Sequence, residues 1–100
     1  MLIKFSNIYL EQLYQGLLVG KPKYSPEVIK KFKKVILLIQ FVTNYQELYK
    51  FKGLHFEKLQ NGYYSVRVDK KYRLEFSIEK EELTIQDIIV VEELSNHYGD

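Results

Sequence analysis

The sequence has no cysteine and only two prolines among its 100 residues. Without cysteine, neither a disulfide framework nor a thiolate metal site can form, and a reducing compartment such as the cytoplasm is the expected setting. Long apolar runs are missing too. The longest, Val35 to Ile39, falls far short of the ~20 residues that span a bilayer, and MLIKF lacks the ~7–15 apolar residues of a signal-peptide core, so no membrane role is expected. There is no glycine-rich phosphate loop, no HExxH and no GxSxG, and two histidines set far apart make a poor metal site. No cofactor or metal is therefore expected. The last twenty residues hold no Lys or Arg and 6 acidic residues, whereas residues 1 to 80 carry all 15 Lys and Arg against 7 acidic residues, a net +8. A basic body with an acidic C-terminal segment can bind a polyanion through one surface, although solvated lysines on helix faces give the same sum.

What is present is a composition of 46% apolar and 28% charged residues, that of a chain able to bury a core, and the length fits one domain over residues 1–100. Leu2 to Phe5 reads as a short strand. Ser6 or Asn7 can cap a first helix over roughly residues 7 to 18, which Gly20 and Pro22 would end. A second helix is signalled by Ser25 at the N-cap, Pro26 at the first helical position and Glu27 in the positive first turn. Its apolar stripe is Ile29, Phe32, Ile36, Ile39 and Val42, with Lys30, Lys31, Lys33 and Lys34 on the complementary arc, read as a solvated face. Asn44 to Phe51 fits either a helical turn or a loop.

From Leu54 the periodicity changes to two. Asn61-Gly62 signals a type I′ hairpin, since both residues tolerate positive φ. Tyr64, Val66 and Val68 alternate with Tyr63, Ser65 and Arg67; Tyr72, Leu74, Phe76 and Ile78 alternate with Arg73, Glu75 and Ser77. Glu79 to Glu82 reads as a turn, and Leu83 to Val91 as the last strand before the tail EELSNHYGD. The expected fold is α+β: a two-layer sandwich in the order β-α-α-β-β-β, with two helices on one face of a mainly antiparallel sheet of about four strands.

The open face of such a sheet would present Tyr63, Ser65, Arg67, Arg73 and Glu75, with His55 before it and His97 and Tyr98 after it. Imidazoles and guanidinium groups suit RNA cleavage by a 2′-hydroxyl, because one group must remove a proton, another must protonate the leaving oxygen, and a cation must stabilise the phosphorane. Arginine matches phosphate oxygens as a fork and keeps its charge. The same residues also have plainer readings: His55 as a surface residue, His97 as part of a frayed end, Arg73 as the partner of Glu75 or of a last-strand carboxylate, and the nine tyrosines as packing.

Four words carry a resemblance: LHFEKL, GYYSVRV, YRLEFS and ELSNHYG, in that order. With the strand and two helices before them, they resemble the RelE/ParE superfamily of type II toxins, most closely its HigB-like branch. The resemblance implies the RelE-like fold, a ribosome-dependent mRNA endonuclease that needs no metal, a HigA-like helix-turn-helix antitoxin and mRNA in the ribosomal decoding site as partners. Position by position it implies His55 and His97 as general base and general acid in either order, Tyr98 orienting the 2′-hydroxyl or the base, and Arg73 with Lys58 and Arg67 on the scissile phosphate. HigB-type toxins often end in an Asp-Tyr-His-like motif, whereas this chain has Asn96-His97-Tyr98. A ParE-like toxin that blocks DNA gyrase without catalysis, or a degenerate toxin that only binds its antitoxin, would share the scaffold.

Overall fold

The computed structural model describes residues 1–81 and 86–96, with Glu81 described by its backbone alone. The chain is α+β. Strand β1 (Leu2–Phe5) leads to helices α1 (Ile8–Gln15) and α2 (Pro26–Phe41), then to two short 3-10 turns, and then to β2 (Glu57–Lys58), β3 (Tyr64–Arg67), β4 (Arg73–Glu81) and β5 (Gln86–Ser95). The five strands form one sheet in the order β1-β5-β4-β3-β2, in which β1 runs parallel to β5 and the other neighbours are antiparallel. The fifth strand beyond the expected four is β2, a two-residue edge.

Helix α2 forms where its caps predict. Ser25 Oγ accepts from the Val28 N–H at 3.3 Å and Pro26 occupies the first turn. Val28, Phe32, Val35, Ile36 and Ile39 are buried against the sheet, joined by Val66, Leu74, Phe76, Ile89 and Val91. Helix α1 is shorter than its spacing suggests. Asn7 caps it, accepting from the Leu10 N–H, but Gly16 adopts a left-handed conformation (φ 73) and the Leu17 N–H returns to Gln12 O at 2.9 Å. That closure satisfies the last carbonyls three residues before Leu18, so Gly16 and not Gly20 ends the helix. Asn44 to Phe51 resolves into a 3-10 turn, with Asn44 Oδ1 accepting from the Glu47 N–H and Leu48 fully buried.

The last hairpin also differs from expectation. Strand β4 continues to Glu81 where a turn was expected at Glu79, and β5 extends to Ser95, four residues past Val91. A bulge makes the extension possible: Glu75 pairs with Glu93 but Phe76 pairs with Val91, leaving Glu92 as an extra residue. The inserted residue keeps Leu94 on the buried side, 2% exposed. It also turns the Glu92 carbonyl toward Asn7 Nδ2 at 3.2 Å, while its carboxylate accepts from the Ser6 and Ser77 hydroxyls. The bulge thus fastens the start of α1 to the centre of the sheet.

Tyr24, between the helices, donates its hydroxyl to Leu94 O at 3.0 Å. Burial, reinforced by nearby Glu93 and the neighbouring phenols of Tyr72 and Tyr9, pushes its pKa up to about 12. A phenol held protonated in the folded state contributes stability that is present below its unfolded pKa of ~10 and is lost as pH rises toward about 12. The melting temperature should fall across that interval, and Tyr24→Phe should flatten the fall. An identical slope in the variant would show that Tyr24 is not the group responsible.

Candidate active site

The polar face of the sheet is built by register. Glu57 pairs with Ser65, Ser65 with Glu75, and Glu75 with Glu93; one step along, Arg67 pairs with Arg73 and Arg73 with Ser95. Two arginines directly opposite would repel, and each is drawn aside. Arg67 Nε donates to Asp69 O at 3.2 Å, and Arg73 Nη2 donates to Glu57 Oε1 at 2.6 Å. The second contact is a charge-assisted pair of unequal burial, the Arg73 side chain being 7% exposed and that of Glu57 51%. Ser65, beside them, is fully buried and its Oγ has no hydrogen-bond partner among the described residues, an unmet hydroxyl of the kind that calls for a functional or local explanation.

This end of the sheet is basic. The β3–β4 connection carries exposed Lys70 and Lys71 next to the Arg67–Arg73 row, and it is held shut by Asp69, whose Oδ1 accepts from the Lys71 and Tyr72 N–H groups at 2.9 and 2.8 Å. Toward β5 the face becomes acidic: Glu75 accepts from Ser95 Oγ at 2.8 Å and lies opposite exposed Glu93. A phosphate would therefore be attracted to the β3–β4 turn and repelled from the middle of β5.

The expected site residues are distributed unevenly over this geometry. Arg73 and Arg67 lie together, but Arg73 is buried where an open position was expected. Among the described residues its ion-pair partner is Glu57, and neither Glu75 nor a carboxylate of β5. Tyr63 is half-exposed just before β3, its N–H donating to Asn61 Oδ1 at 2.9 Å. His55 is exposed and left-handed (φ 47, ψ 48), the C-cap of the second 3-10 turn, pinned between buried Leu54 and Phe56. Such backbone strain in a non-glycine residue costs about 1–2 kcal/mol and concentrates at functional positions. His97 and Tyr98 lie outside the described residues; the chain reaches them two and three residues after Ser95, which pairs with Arg73.

Lys58 is placed on the other side. It pairs with Tyr64 and holds its ammonium 5.8 Å from that ring, beside the aromatic stack of Phe56, Tyr64 and Phe76. The cause is the turn. The Gly62 N–H bonds to Leu59 O at 3.1 Å and the Leu59 N–H to Tyr63 O at 2.7 Å, so Gln60, Asn61 and Gly62 form a three-residue loop in which Gly62 has positive φ and Asn61 does not. A two-residue type I′ loop would have paired Lys58 with Ser65. The longer loop slips the register by one and exchanges Lys58 for Glu57 on the polar face. Glu57 is thus the residue that sequence reasoning missed, and the signal that could have found it is loop length.

A solved structure similar to this one is that of the YoeB/ParE toxin from Agrobacterium tumefaciens, with a TM-score of 0.58 and 13% identity over 98% of this chain and 100% of that one. The chain shares that toxin's fold. No protein-family model and no curated protein matches it. In this YoeB/ParE-like fold, Glu57, Arg67 and Arg73 occupy one face of the sheet and the helices the other. Among the described residues, no group of three or more His, Asp or Glu side chains could hold a metal ion, and no helix is long and apolar enough to cross a membrane.

Proposed function

We propose that this protein is the toxin of a toxin–antitoxin pair and acts as a ribosome-dependent mRNA endonuclease of the HigB-like branch. The observation that carries the reading is the Glu57–Arg73 pair at the basic end of the polar face. Glu57 takes the proton of the RNA 2′-hydroxyl, whose oxygen attacks phosphorus. Arg73, aided by Arg67, stabilises the charge that develops on the phosphorane oxygens. The bond from phosphorus to the 5′-oxygen breaks, a proton from His97 reaches that oxygen, and a 2′,3′-cyclic phosphate and a 5′-hydroxyl remain. Two residues of chain separate His97 from Ser95, a reach of at most about 7 Å, and Ser95 pairs with Arg73. Tyr98 orients the nucleotide. His55 and Tyr63 contact RNA at the rim, and Lys58 contributes only long-range attraction. The partners of this reading are mRNA in the ribosomal decoding site, within the cytoplasm, and a HigA-like helix-turn-helix antitoxin.

Induced expression in bacteria should arrest growth, and primer extension should reveal cuts in translated transcripts. Normal growth with intact mRNA would overturn the reading. DNA damage with intact mRNA would instead favour a gyrase-binding toxin on the same scaffold, and cut transcripts without DNA damage, with both cuts and growth arrest relieved by Glu57→Gln, would exclude that alternative.

A further inference from the structure

The helix layer contains a feature that RNA cleavage does not use. A groove of about 740 Å³ opens between the α1–α2 connection and the first half of α2. Pro22, Pro26 and Ile29 are among its apolar lining, and Lys21, Lys23, Lys30 and Lys33 line it as well. None of these four lysines has a carboxylate within ion-pair distance among the described residues. Four like charges around an apolar lining are unfavourable in the free protein, and an acidic occupant would reverse that sign. The wall is firm: the Lys23 N–H donates to the Tyr9 hydroxyl at 2.8 Å, the Lys23 ammonium sits 4.6 Å from the Tyr9 ring, and the Tyr24 hydroxyl is engaged with Leu94.

We infer that this groove docks a segment of a partner protein in which glutamate or aspartate alternates with leucine or another aliphatic residue. Aliphatic side chains cover Pro22 and Ile29, and the carboxylates meet the lysines. A nucleic acid fits less well. Single strands are held by aromatic platforms and arginine, whereas the lining has no arginine and its one aromatic ring, Tyr24, is half-buried and packed edge-on against Tyr72. The groove belongs to the helix layer and Arg73 to the opposite face of the sheet, so docking is independent of nuclease activity.

The test is fluorescence anisotropy with the full chain and a labelled synthetic peptide of alternating glutamate and leucine pairs. Two control peptides replace glutamate by glutamine or leucine by serine, and a labelled oligouridylate serves as the nucleic-acid arm. Saturable binding of the first peptide is expected, about tenfold weaker for each control and for the Lys30→Gln/Lys33→Gln variant. That variant should melt with the wild type, since its changes remove charge without removing core. Absent binding, equal binding of the serine control, tighter binding of oligouridylate, or a lysine-dependent dimer in light scattering would each overturn the proposal.

Discussion

Glu57→Gln should lower ribosome-dependent mRNA cleavage by roughly 10²–10⁴-fold, the usual range for one positioned base. The amide keeps the shape of the side chain and one oxygen for Arg73, but it cannot take a proton at neutral pH. Stability should change little. The Glu57 side chain is half exposed and Arg73 keeps a polar neighbour, so the loss should be no more than about 1–2 kcal/mol. Arg73→Lys provides the contrasting result: it keeps the charge but loses the fork that could hold Glu57 and a phosphate together, and under the proposed mechanism cleavage should fall by a comparable factor with the fold intact. Toxicity and circular dichroism measured on both variants separate chemistry from folding. Full toxicity in Glu57→Gln would remove Glu57 from the mechanism and return the role of base to His55 or His97.

The other large effect is expected in the core. Phe76 is fully buried near the centre of β4, its ring nearly parallel to that of Phe56 (2°, 6.1 Å) and close to that of Tyr64 (19°, 6.3 Å). Phe76→Ala should cost about 3–5 kcal/mol, a large share of the ~5–15 kcal/mol that holds a domain of this kind together. The midpoint of urea unfolding should move accordingly, and a loss below about 1 kcal/mol would mean that the stack collapses onto the gap. The site should suffer as well. Phe56 adjoins Glu57 on a two-residue edge strand, so loosening the stack frees the carboxylate that Arg73 holds. Residual folded protein should therefore cleave RNA more slowly per molecule than the wild type.

Much of the scaffold can be read from local chemistry. Ser25, Pro26 and the stripe through Ile39 specify α2 within a few neighbouring residues, and the alternation around Val66 and Leu74 gives β3 and β4 their buried sides. The site is less legible because it depends on counting residues across turns. One additional residue in the Leu59–Tyr63 loop decides that Glu57, and not Lys58, faces Arg73. One additional residue at Glu92 decides that Ser95 pairs with Arg73 and that Leu94 is buried. Neither insertion leaves a mark in hydropathy, since Glu92 and Asn61 would look the same in a regular strand or a tighter turn. Gly16 was eclipsed for a related reason: Gly20 and Pro22 announce a helix end more loudly, although the left-handed closure comes first.

The parallel pairing of β1 with β5 governs when the molecule becomes complete. Leu2 pairs with Ile88 and Phe5 with Val91, so the first strand made must wait for the last before its edge is filled. Pairings so distant in sequence form late, because the intervening loop must be closed before they stabilise anything. A nascent chain can fold α1 and α2 as they emerge, but Ser95 can reach Arg73 only once β5 has emerged in its turn. Strand β1 therefore keeps an open edge until β5 has been made, and the Arg73–Ser95 row of the polar face is among the last parts of the sheet to close.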